Sequence, residues 1–204
     1  MIKVEKIKVW GFEHAIRGMR NPKNSWDKSD SRFYNNEAYV IGENDLDLMR
    51  RLYKAGPEHR KLLRQVFISM DITAPLYWWK EFDTYKIGTT ADSCSTMHKI
   101  HAKEFELDDF SHEHLHAISL ACLKDTILVL NGCRGNFLKN KDKYFWWQMI
   151  QLLPSSYNQK RTVTMNYENV VTMIRQRTGH KLDEWNDFVT LLHGLPYIAR
   201  IIDE

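Results

Sequence analysis

The sequence predicts a mixed α/β (α+β) domain that is weighted toward helix in its second half. The chain has 204 residues, a length that suits one domain. Its hydrophobic content of 43% and aromatic content of 12% are sufficient for a packed core. Strand patterns and helical patterns alternate in the first half, helical patterns fill the second half, and no internal repeat or low-complexity linker divides the chain. We therefore expect residues 1–204 to form a single domain.

The N-terminal part begins with a strand pattern. Residues 2–10 alternate aliphatic side chains with Lys and Glu, which is typical of a strand with one buried face. A short helix is predicted through His14–Met19. Residues 20–32 are polar and rich in Asn, Ser and Asp, so they predict a loop. This loop is longer than a simple connection requires, and long loops in compact domains are often functional.

Three elements are predicted in the next part of the chain. Residues 44–55 carry apolar side chains on one helical face, and Gly56-Pro57 ends this helix. Residues 62–72 indicate a strand. Residues 74–82 indicate a short aromatic helix.

The second half is predicted to be helical. Residues 112–130 show a long helical pattern, and residues 144–153 form another helix that Pro154 closes. Two further helices are predicted over residues 168–177 and 182–193.

Charge and cysteine content narrow the classes of function. The net charge of +3 gives no general electrostatic case for nucleic-acid binding, although a local basic pocket for a small anion is compatible with it. The three Cys are Cys94, Cys122 and Cys133, an odd number without a CxxC pair, which favours reduced thiols. The charged N-terminus does not match a signal peptide, and no apolar run reaches the roughly 20 residues of a membrane helix. We expect a soluble, cytoplasmic protein that contacts neither membrane nor nucleic acid.

The histidines at 112, 114 and 116 are the first candidate metal ligands. On a helix only His112 and His116 share a face, because residues i and i+4 do. Zinc requires further ligands, and the sequence lacks HExxH. The alternative is a polar helix start with Ser111 as N-cap. We expect no metal site.

The stretch TYKIGTTADSCSTMHKI, residues 84–100, concentrates polar and nucleophilic side chains. Cys94 as a nucleophile requires a base, and His98 is near in sequence. The neighbouring serines lack a GxSxG setting, and the stretch lacks the GxxxxGK[ST] frame of a phosphate-binding loop. An ordinary thiol is the simpler interpretation of Cys94.

A basic group follows in residues 159–180. Its members are Lys160, Arg161, Arg175, Arg177 and His180. Arginine forks suit phosphate oxygens. The group is a candidate phosphate site, but its spacing alone favours a solvated basic face.

Residues 152–185 read LLPSSYNQKRTVTMNYENVVTMIRQRTGHKLDEW. This stretch resembles the C-terminal signature of flavin-dependent thymidylate synthases (the ThyX family). In that signature a Leu-Pro is followed by an aromatic residue, by a Thr and an Asn that open a helix, by an Arg near the end of the helix, and then by a His and a Glu. The matching residues are Leu153, Pro154, Tyr157, Thr164, Asn166, Arg177, His180 and Glu184. Residues 54–69 look like the family's Gly-His-Glu segment leading into a strand, so the resemblance spans residues 45–195.

The family's hallmark is an Arg-His-Arg followed by a spaced Ser, Asn, Ser and Arg-Tyr, and it should fall within residues 81–99. One register places residues 85–87, Tyr-Lys-Ile, at the Arg-His-Arg, with Thr90 and Asp92 at the Ser and Asn. An ungapped register places residues 82–84, Phe-Asp-Thr, there instead. Neither register restores the hallmark.

The departure bears on the chemistry that the resemblance implies. In that family the signature arginines bind the flavin and the nucleotide phosphate and orient dUMP for methylene and hydride transfer. Tyr, Ile and Thr do not supply bidentate charged contacts. Ile150 and Glu168 also stand where the family places arginines. The resemblance implies a small sheet with long helices. It also implies assembly as a homotetramer with pockets where subunits meet. The residues at the position of the family's site, however, differ from those of the family.

We therefore favour a nucleotide-binding homo-oligomer that has lost the synthase chemistry. It would sequester a nucleotide or a nucleotide-derived signal, as a phage-encoded protein would when it intercepts host signalling. The alternative is an active synthase using FAD, dUMP, methylenetetrahydrofolate and NADPH. A nucleotide hydrolase or transferase with Asp92, His98 or Asp30 as acid or base, and a protein-interaction module, are further hypotheses.

The expected ligand contacts come from four segments. Arg177 with Lys160 or Arg161 would hold phosphate, Asn166 and His180 would orient the ligand, and the loop at 20–32 would close over it. The expected ligand-binding residues are Lys86, Thr90, Ser93, Ser95, His98, Lys160, Arg161, Asn166, Arg177, His180, Arg20 and Trp26. No catalytic residue is assigned, and FAD is expected only if the synthase hypothesis holds.

Overall fold

The computed structural model describes residues 2–35 and 38–203 and contains α-helices, a four-stranded sheet and a two-stranded sheet. The strands are β1 (Lys3–Trp10), β2 (Arg32–Tyr34), β3 (Ala38–Val40), β4 (Phe67–Pro75), β5 (Thr89–Ser93) and β6 (Asn158–Asn166). The helices are α1 (Phe12–Arg20), α2 (Glu43–Lys54), α3 (Leu76–Phe82), α4 (Ala117–Asn140), α5 (Lys143–Leu152), α6 (Tyr167–Arg177), α7 (Asp183–His193) and α8 (Ile198–Ile202).

The four-stranded sheet has the order β1-β4-β6-β5, and β2 pairs with β3 in an antiparallel hairpin. In β4 every second side chain is buried, beginning with Ile68 and Met70. In β6 the buried side chains include Gln159, Val163 and Met165. This period of two explains why both segments adopt strands.

The chain divides into two compact units. One contains residues 2–4, 71–84 and 92–162, and we call it the α4–α5 unit. The other contains residues 5–35, 38–70, 85–91 and 163–203, and we call it the α6–α7 unit.

The α6–α7 unit has a core of large side chains from several helices. Trp185 and Phe188 of α7 are fully buried together with Leu46 of α2. Tyr167 at the start of α6 is also buried, and its hydroxyl donates to the carbonyl of Pro196 at 3.1 Å. Burial raises the pKa of this phenol. The phenol therefore stays protonated and acts as a hydrogen-bond donor.

The α4–α5 unit has its own apolar cluster. Phe105 and Phe110 pack there with Leu123 and Leu130 of α4 and Met149 of α5. In α3 the rings of Trp78, Trp79 and Phe82 contact one another and are buried. The aromatic residues of this helix therefore belong to the core, and they do not provide a stacking surface for a base.

Most of the predicted helices are confirmed. The helices predicted over 44–55, 144–153, 168–177 and 182–193 agree with α2, α5, α6 and α7 to within a residue at each end. The strand predicted over 2–10 is confirmed as β1.

The strand predicted over 62–72 begins later. Residues Lys61–Arg64 form a 3₁₀ turn, and β4 begins at Phe67. Leu62 and Leu63 are both buried. Two consecutive buried side chains are compatible with a tight turn inside the core, whereas a one-sided strand exposes every second one.

The helix predicted to start at residue 112 starts at Ala117. His116 is its N-cap, and the His116 imidazole accepts from the backbone N–H of Ser119 at 3.4 Å. Ser111 is not the N-cap, since its backbone N–H donates to the carbonyl of Ser156 at 2.8 Å. His112 lies before the helix, with Nδ1 2.8 Å from the carbonyl of Phe110. The expected shared helical face of His112 and His116 is therefore wrong.

None of the helices within residues 2–35 and 38–203 is both long and apolar enough to cross a membrane.

Candidate ligand site

Asn166 and Asn169 connect the start of α6 to the segment 85–91. Asn166 is the N-cap of α6, and its Oδ1 accepts from the backbone N–H of Asn169 at 3.1 Å. Asn169 Nδ2 donates to the carbonyl of Ile87 at 2.8 Å and to Thr89 Oγ1 at 2.6 Å. Asn166, which the sequence analysis assigned to ligand orientation, thus has a structural role at the helix terminus.

Residues 86–89 form a turn that requires glycine. The backbone N–H of Thr89 donates to the carbonyl of Lys86 at 3.3 Å, and Gly88 has a φ of 76°. A Cβ at position 88 would lie 2.5 Å from Asn166 Nδ2. Gly88 therefore supplies both the positive φ and the close approach to α6. Ile87 is 92% exposed at the tip of this turn.

Arg177, in the last turn of α6, is held by aromatic residues. Its Nε donates to the hydroxyl of Tyr85 at 2.9 Å, and that hydroxyl donates to Gln176 Oε1 at 3.0 Å. The guanidinium carbon lies 4.6 Å from the ring centroid of Trp185 and 5.6 Å from that of Tyr85. Tyr85, Arg177, His180 and Trp185 form what we call the Arg177 cluster, in which the guanidinium is fixed by cation–π contacts.

The hydrogen bonds of His180 assign its tautomer. Nδ1 accepts from the backbone N–H of Leu182 at 3.1 Å. A neutral imidazole then carries its hydrogen on Nε2. Nε2 lies 3.2 Å from NH1 of Arg177, which is also a donor. The two nitrogens lie close enough together for one anionic oxygen to contact both.

Lys160 and Arg161 lie on β6 in the α4–α5 unit, where both are engaged in ion pairs. Lys160 Nζ is 2.9 Å from Asp71 Oδ2. Arg161 NH1 is 2.7 Å from Asp83 Oδ1, and its guanidinium carbon lies 4.2 Å from the ring centroid of Trp79. The Arg161 side chain is only 15% exposed. These contacts give both residues structural roles.

The polar residues predicted after β5 are exposed. Ser95 Oγ accepts from the backbone N–H groups of Met97 and His98, at 3.2 Å and 2.8 Å. This local turn explains why a serine occupies position 95. Ser93 and His98 are exposed in the α4–α5 unit, whereas Thr90 is exposed in the α6–α7 unit.

Arg20 and Trp26 belong to the loop at 20–32. Arg20 Nε donates to Asp45 Oδ1 at 2.6 Å, and its side chain is 5% exposed. Trp26 is 49% exposed, and its Nε1 donates to Asn21 Oδ1 at 2.9 Å. Arg20 is therefore fixed by a buried carboxylate, and Trp26 offers an open aromatic face.

Asp45 holds this loop against α2. Its Oδ2 accepts from Ser29 Oγ at 2.7 Å, and from Ser31 Oγ at 2.6 Å and the Ser31 backbone N–H at 3.0 Å. Burial opposes ionisation of Asp45, but the hydrogen bonds from Ser31, Ser29 and Arg20 outweigh it and lower the pKa of the carboxyl. The sequence analysis missed Asp45, because no sequence signal distinguishes it from other acidic residues in the first turn of a helix.

Within the described residues, no group of three or more His, Cys, Asp or Glu side chains is arranged to hold a metal ion.

The arrangement of the strands and helices matches solved structures. Thymidylate synthase X from Helicobacter pylori, in a structure with FAD and dUMP, superposes with a TM-score of 0.71 at 17% identity and covers 100% of this chain and 98% of that chain. This chain has the fold of the flavin-dependent thymidylate synthases.

A second Helicobacter pylori structure of flavin-dependent thymidylate synthase, complexed with FAD and dUMP, has a TM-score of 0.70 at 18% identity over 98% of both chains. The UMP/dUMP methylase PolB from Streptomyces cacaoi, bound with 5-Br dUMP, has a TM-score of 0.60 at 12% identity and covers 87% of this chain and 78% of that chain. No protein-family model and no curated protein matches the sequence. At these identities the likeness concerns the fold, and function must be argued from the site.

The residues present do not fit FAD as the resemblance would require. Glu168, where the family places an arginine beside the flavin, is a carboxylate whose Oε1 accepts from Arg60 Nε and NH2 at 3.0 Å and 2.9 Å. Glu168 Oε2 is buried, and within the described residues it has no hydrogen-bond partner. The Arg60–Glu168 ion pair is neutral, so this position offers no net positive charge to the diphosphate of a flavin. No reaction step is therefore derived through FAD.

Proposed function

We propose that this protein binds a nucleotide or a nucleotide-derived anion at the Arg177 cluster and holds it without thymidylate synthase chemistry. The carrying observation is that Arg177 NH1 and His180 Nε2 lie side by side, 3.2 Å apart. A phosphate oxygen placed beside both nitrogens would contact each of them, and the guanidinium supplies a permanent positive charge.

The fold supports the nucleotide class of this anion. The proteins with matching folds are described as complexes with dUMP or 5-Br dUMP. Tyr85 is half-buried beside Arg177 and adds an aromatic edge that a base or ribose can pack against. Trp185 is fully buried, so it positions Arg177 and leaves stacking to Tyr85.

Loss of the synthase chemistry is inferred from the same segment. At the position that one register assigns to the Arg-His-Arg signature, Tyr85 binds the Arg177 guanidinium and Ile87 projects into solvent. Neither side chain contributes positive charge. Glu168, at a further position where the resemblance implies an arginine, forms a neutral ion pair with Arg60.

Ligand binding is tested by titrating dUMP into the purified protein and into Arg177→Ala. Removing the guanidinium eliminates the charged donor, so we expect dUMP affinity to fall at least ten-fold, or about 1.5–3 kcal/mol for a hydrogen bond to a charged group. Calorimetry measures the affinity. In thermal denaturation, dUMP at 100 times its dissociation constant should stabilise the wild-type protein by about 2.7 kcal/mol.

Arg175→Ala is the matched control. Arg175 lies in the same last turn of α6 and is exposed outside the Arg177 cluster. Its removal lowers the local positive charge by the same amount but leaves Arg177 and His180 in place. Equal weakening by both variants would reduce the proposal to nonspecific electrostatics, and unchanged affinity of Arg177→Ala would place the nucleotide elsewhere.

To test whether the protein binds the nucleotide without converting it, the small molecules released from the denatured protein are analysed. We expect nucleotide recovered after denaturation to be intact by mass spectrometry. The competing function is an active flavin-dependent synthase, and it is favoured by the full-length match to a structure with FAD and dUMP. That function requires bound flavin and absorbance near about 450 nm. Yellow protein that methylates dUMP would overturn the proposed loss of chemistry.

We include self-association, toward the homotetramer that the resemblance implies, in the proposed function. Helix α4 carries apolar side chains on all of its faces, interspersed with polar ones, and Leu123 and Leu130 are its buried residues. Ile118 is 80% exposed and Leu128 is 72% exposed. Several large apolar side chains exposed on one helix are ordinarily covered by other protein. A second copy of this chain is the proposed occupant.

A further inference from the structure

A basic cavity lies in the α6–α7 unit, apart from the residues of the Arg177 cluster. Its volume is about 760 Å³, within the roughly 300–1,000 Å³ usual for small-molecule sites. The end of α1, the loop at 20–32, α2 and the segment 58–65 form its walls. We call it the basic pocket.

Positive charge dominates the lining of the basic pocket. The cationic residues are Arg20, Lys23, Lys28, Arg51 and Lys61, and Glu58 is the acidic residue among the lining side chains. Arg20 is neutralised by Asp45, and Arg51 pairs with Asp47 at 2.9 Å.

The three lysines keep their charge available. Among the described residues, no carboxylate forms an ion pair with Lys23, Lys28 or Lys61, and all three side chains are exposed. Among the residues that line the pocket, Glu58 supplies the one carboxylate that opposes the charge of the three lysines. The rim therefore has an excess of positive charge, which attracts a ligand with several negative charges.

The inner wall of the basic pocket is apolar. Met19, Leu48 and Leu52 are half-buried there, and Leu62 is buried. An apolar wall with a cationic rim fits a ligand with an uncharged organic body and a charged tail. Inorganic phosphate has no organic body and would make no contact with the apolar wall.

The position of the rim is fixed by buried contacts. Asp45 binds Arg20 and the residues that follow Lys28, so both ends of the loop carrying Lys23 and Lys28 are held against α2. Arg20 NH1 also donates to the carbonyl of Ser25 at 3.2 Å. A preformed rim lowers the ordering cost of binding.

We propose that the basic pocket binds an organic polyphosphate of the nucleoside triphosphate class. The phosphates lie among Lys23, Lys28 and Lys61, and the nucleoside covers the apolar wall. This site is separate from the one proposed for a nucleotide at the Arg177 cluster, and it does not depend on that proposal.

The test is calorimetric titration of the full chain with ATP, tripolyphosphate and adenosine, in buffer without divalent cations. We expect ATP to bind more tightly than tripolyphosphate, and adenosine to bind weakly. The double variant Lys23→Gln/Lys61→Gln should weaken ATP binding about five- to thirty-fold, since each exposed charge pair contributes modestly. Binding should also weaken as salt is raised.

Two further variants assign the site. Lys181→Gln removes an exposed lysine of the same unit that does not line the basic pocket, and it should leave ATP affinity unchanged. ATP binding that is lost in Arg177→Ala and retained in the double lysine variant would overturn this inference while supporting the Arg177 site. Absence of binding by both ATP and tripolyphosphate would overturn it as well, and equal affinity for the two would overturn the role of the apolar wall.

Discussion

Single buried polar residues position the loop at 20–32 and through it the rim of the basic pocket. The carboxylate of Asp45 is fully buried and receives hydrogen bonds from Arg20, Ser29 and Ser31. Burying a carboxylate is unfavourable unless its oxygens are satisfied, and here they are. The loop therefore has a defined conformation, because the Asp45 carboxylate accepts hydrogen bonds from several of its residues.

Asp45→Asn should destabilise the protein and change the pH dependence of its stability. The substitution leaves the buried Arg20 guanidinium without its counter-charge, for which we expect a loss of about 3–5 kcal/mol. Because hydrogen bonds lower the pKa of Asp45 in the folded state, its contribution is complete above the unfolded-state pKa of about 3.9 and is lost as pH falls through the folded value. Urea unfolding across this acidic range should show a flatter pH dependence in Asp45→Asn than in the wild-type protein.

Asp47→Asn is the control for that prediction. Asp47 lies on the same helix and pairs with Arg51, but both side chains are largely exposed, at 60% and 64%. Exposed pairs contribute about 0–1 kcal/mol. A comparable loss in both variants would show that the buried network is not responsible.

At the scale of elements, the start of α6 organises the segment 85–91. Asn166 caps the helix and contacts the Gly88 turn, while Asn169 binds the backbone and the side chain of that segment. The position of Tyr85 beside Arg177 therefore depends on a helix cap as well as on direct contact.

Asn166→Ala should cost about 1 kcal/mol of stability, within the range of about 0.5–2 kcal/mol for removal of an N-cap. Asn166→Asp keeps the accepting oxygen and should retain most of it. Chemical denaturation measures both. If Asn166→Ala weakens dUMP binding without any loss of stability, Asn166 contacts the ligand directly, as the sequence analysis expected.

Most of the helices were predictable from sequence, whereas the strands β2, β3, β5 and β6 were not. Helix α2 has an apolar face and a Gly56-Pro57 stop, and α5 ends before Pro154, so local signals suffice. Strand β5 has mostly exposed, polar side chains, so it carries no alternation to detect. Strand β6 does alternate, but its basic residues favoured an interpretation as a phosphate site.

The candidate site was predictable only where its residues are close in sequence. Arg177 and His180 are three residues apart at the end of a helix, and the structure places them in contact. The opposite charges that engage Lys160 and Arg161 come from Asp71 and Asp83, which are distant in sequence. Tertiary pairing of this kind has no local signature, so the two residues appeared available for phosphate.

At the scale of the whole molecule, the apolar surface of α4 and α5 exceeds what one chain covers. Besides Ile118 and Leu128, Val129 is 51% exposed, and Tyr144 and Trp147 of α5 are 62% and 43% exposed. Scattered apolar residues are normal on a protein surface, but several on two adjoining helices are typical of an interface. Symmetric self-association is the commonest way in which one chain encloses such a surface.

Leu128→Asp should prevent the proposed self-association. A carboxylate at this 72% exposed position is hydrated in the free chain, but it becomes an unpaired buried charge if a second copy covers α4. Light scattering coupled to size-exclusion chromatography should give a multiple of the chain mass for the wild-type protein and a smaller species for the variant, with unchanged helical circular dichroism. Lys80→Glu, an exposed charge reversal on α3, should keep the wild-type mass. A wild-type protein with the mass of one chain at micromolar concentration would contradict self-association, and the apolar face of α4 would then require a different partner.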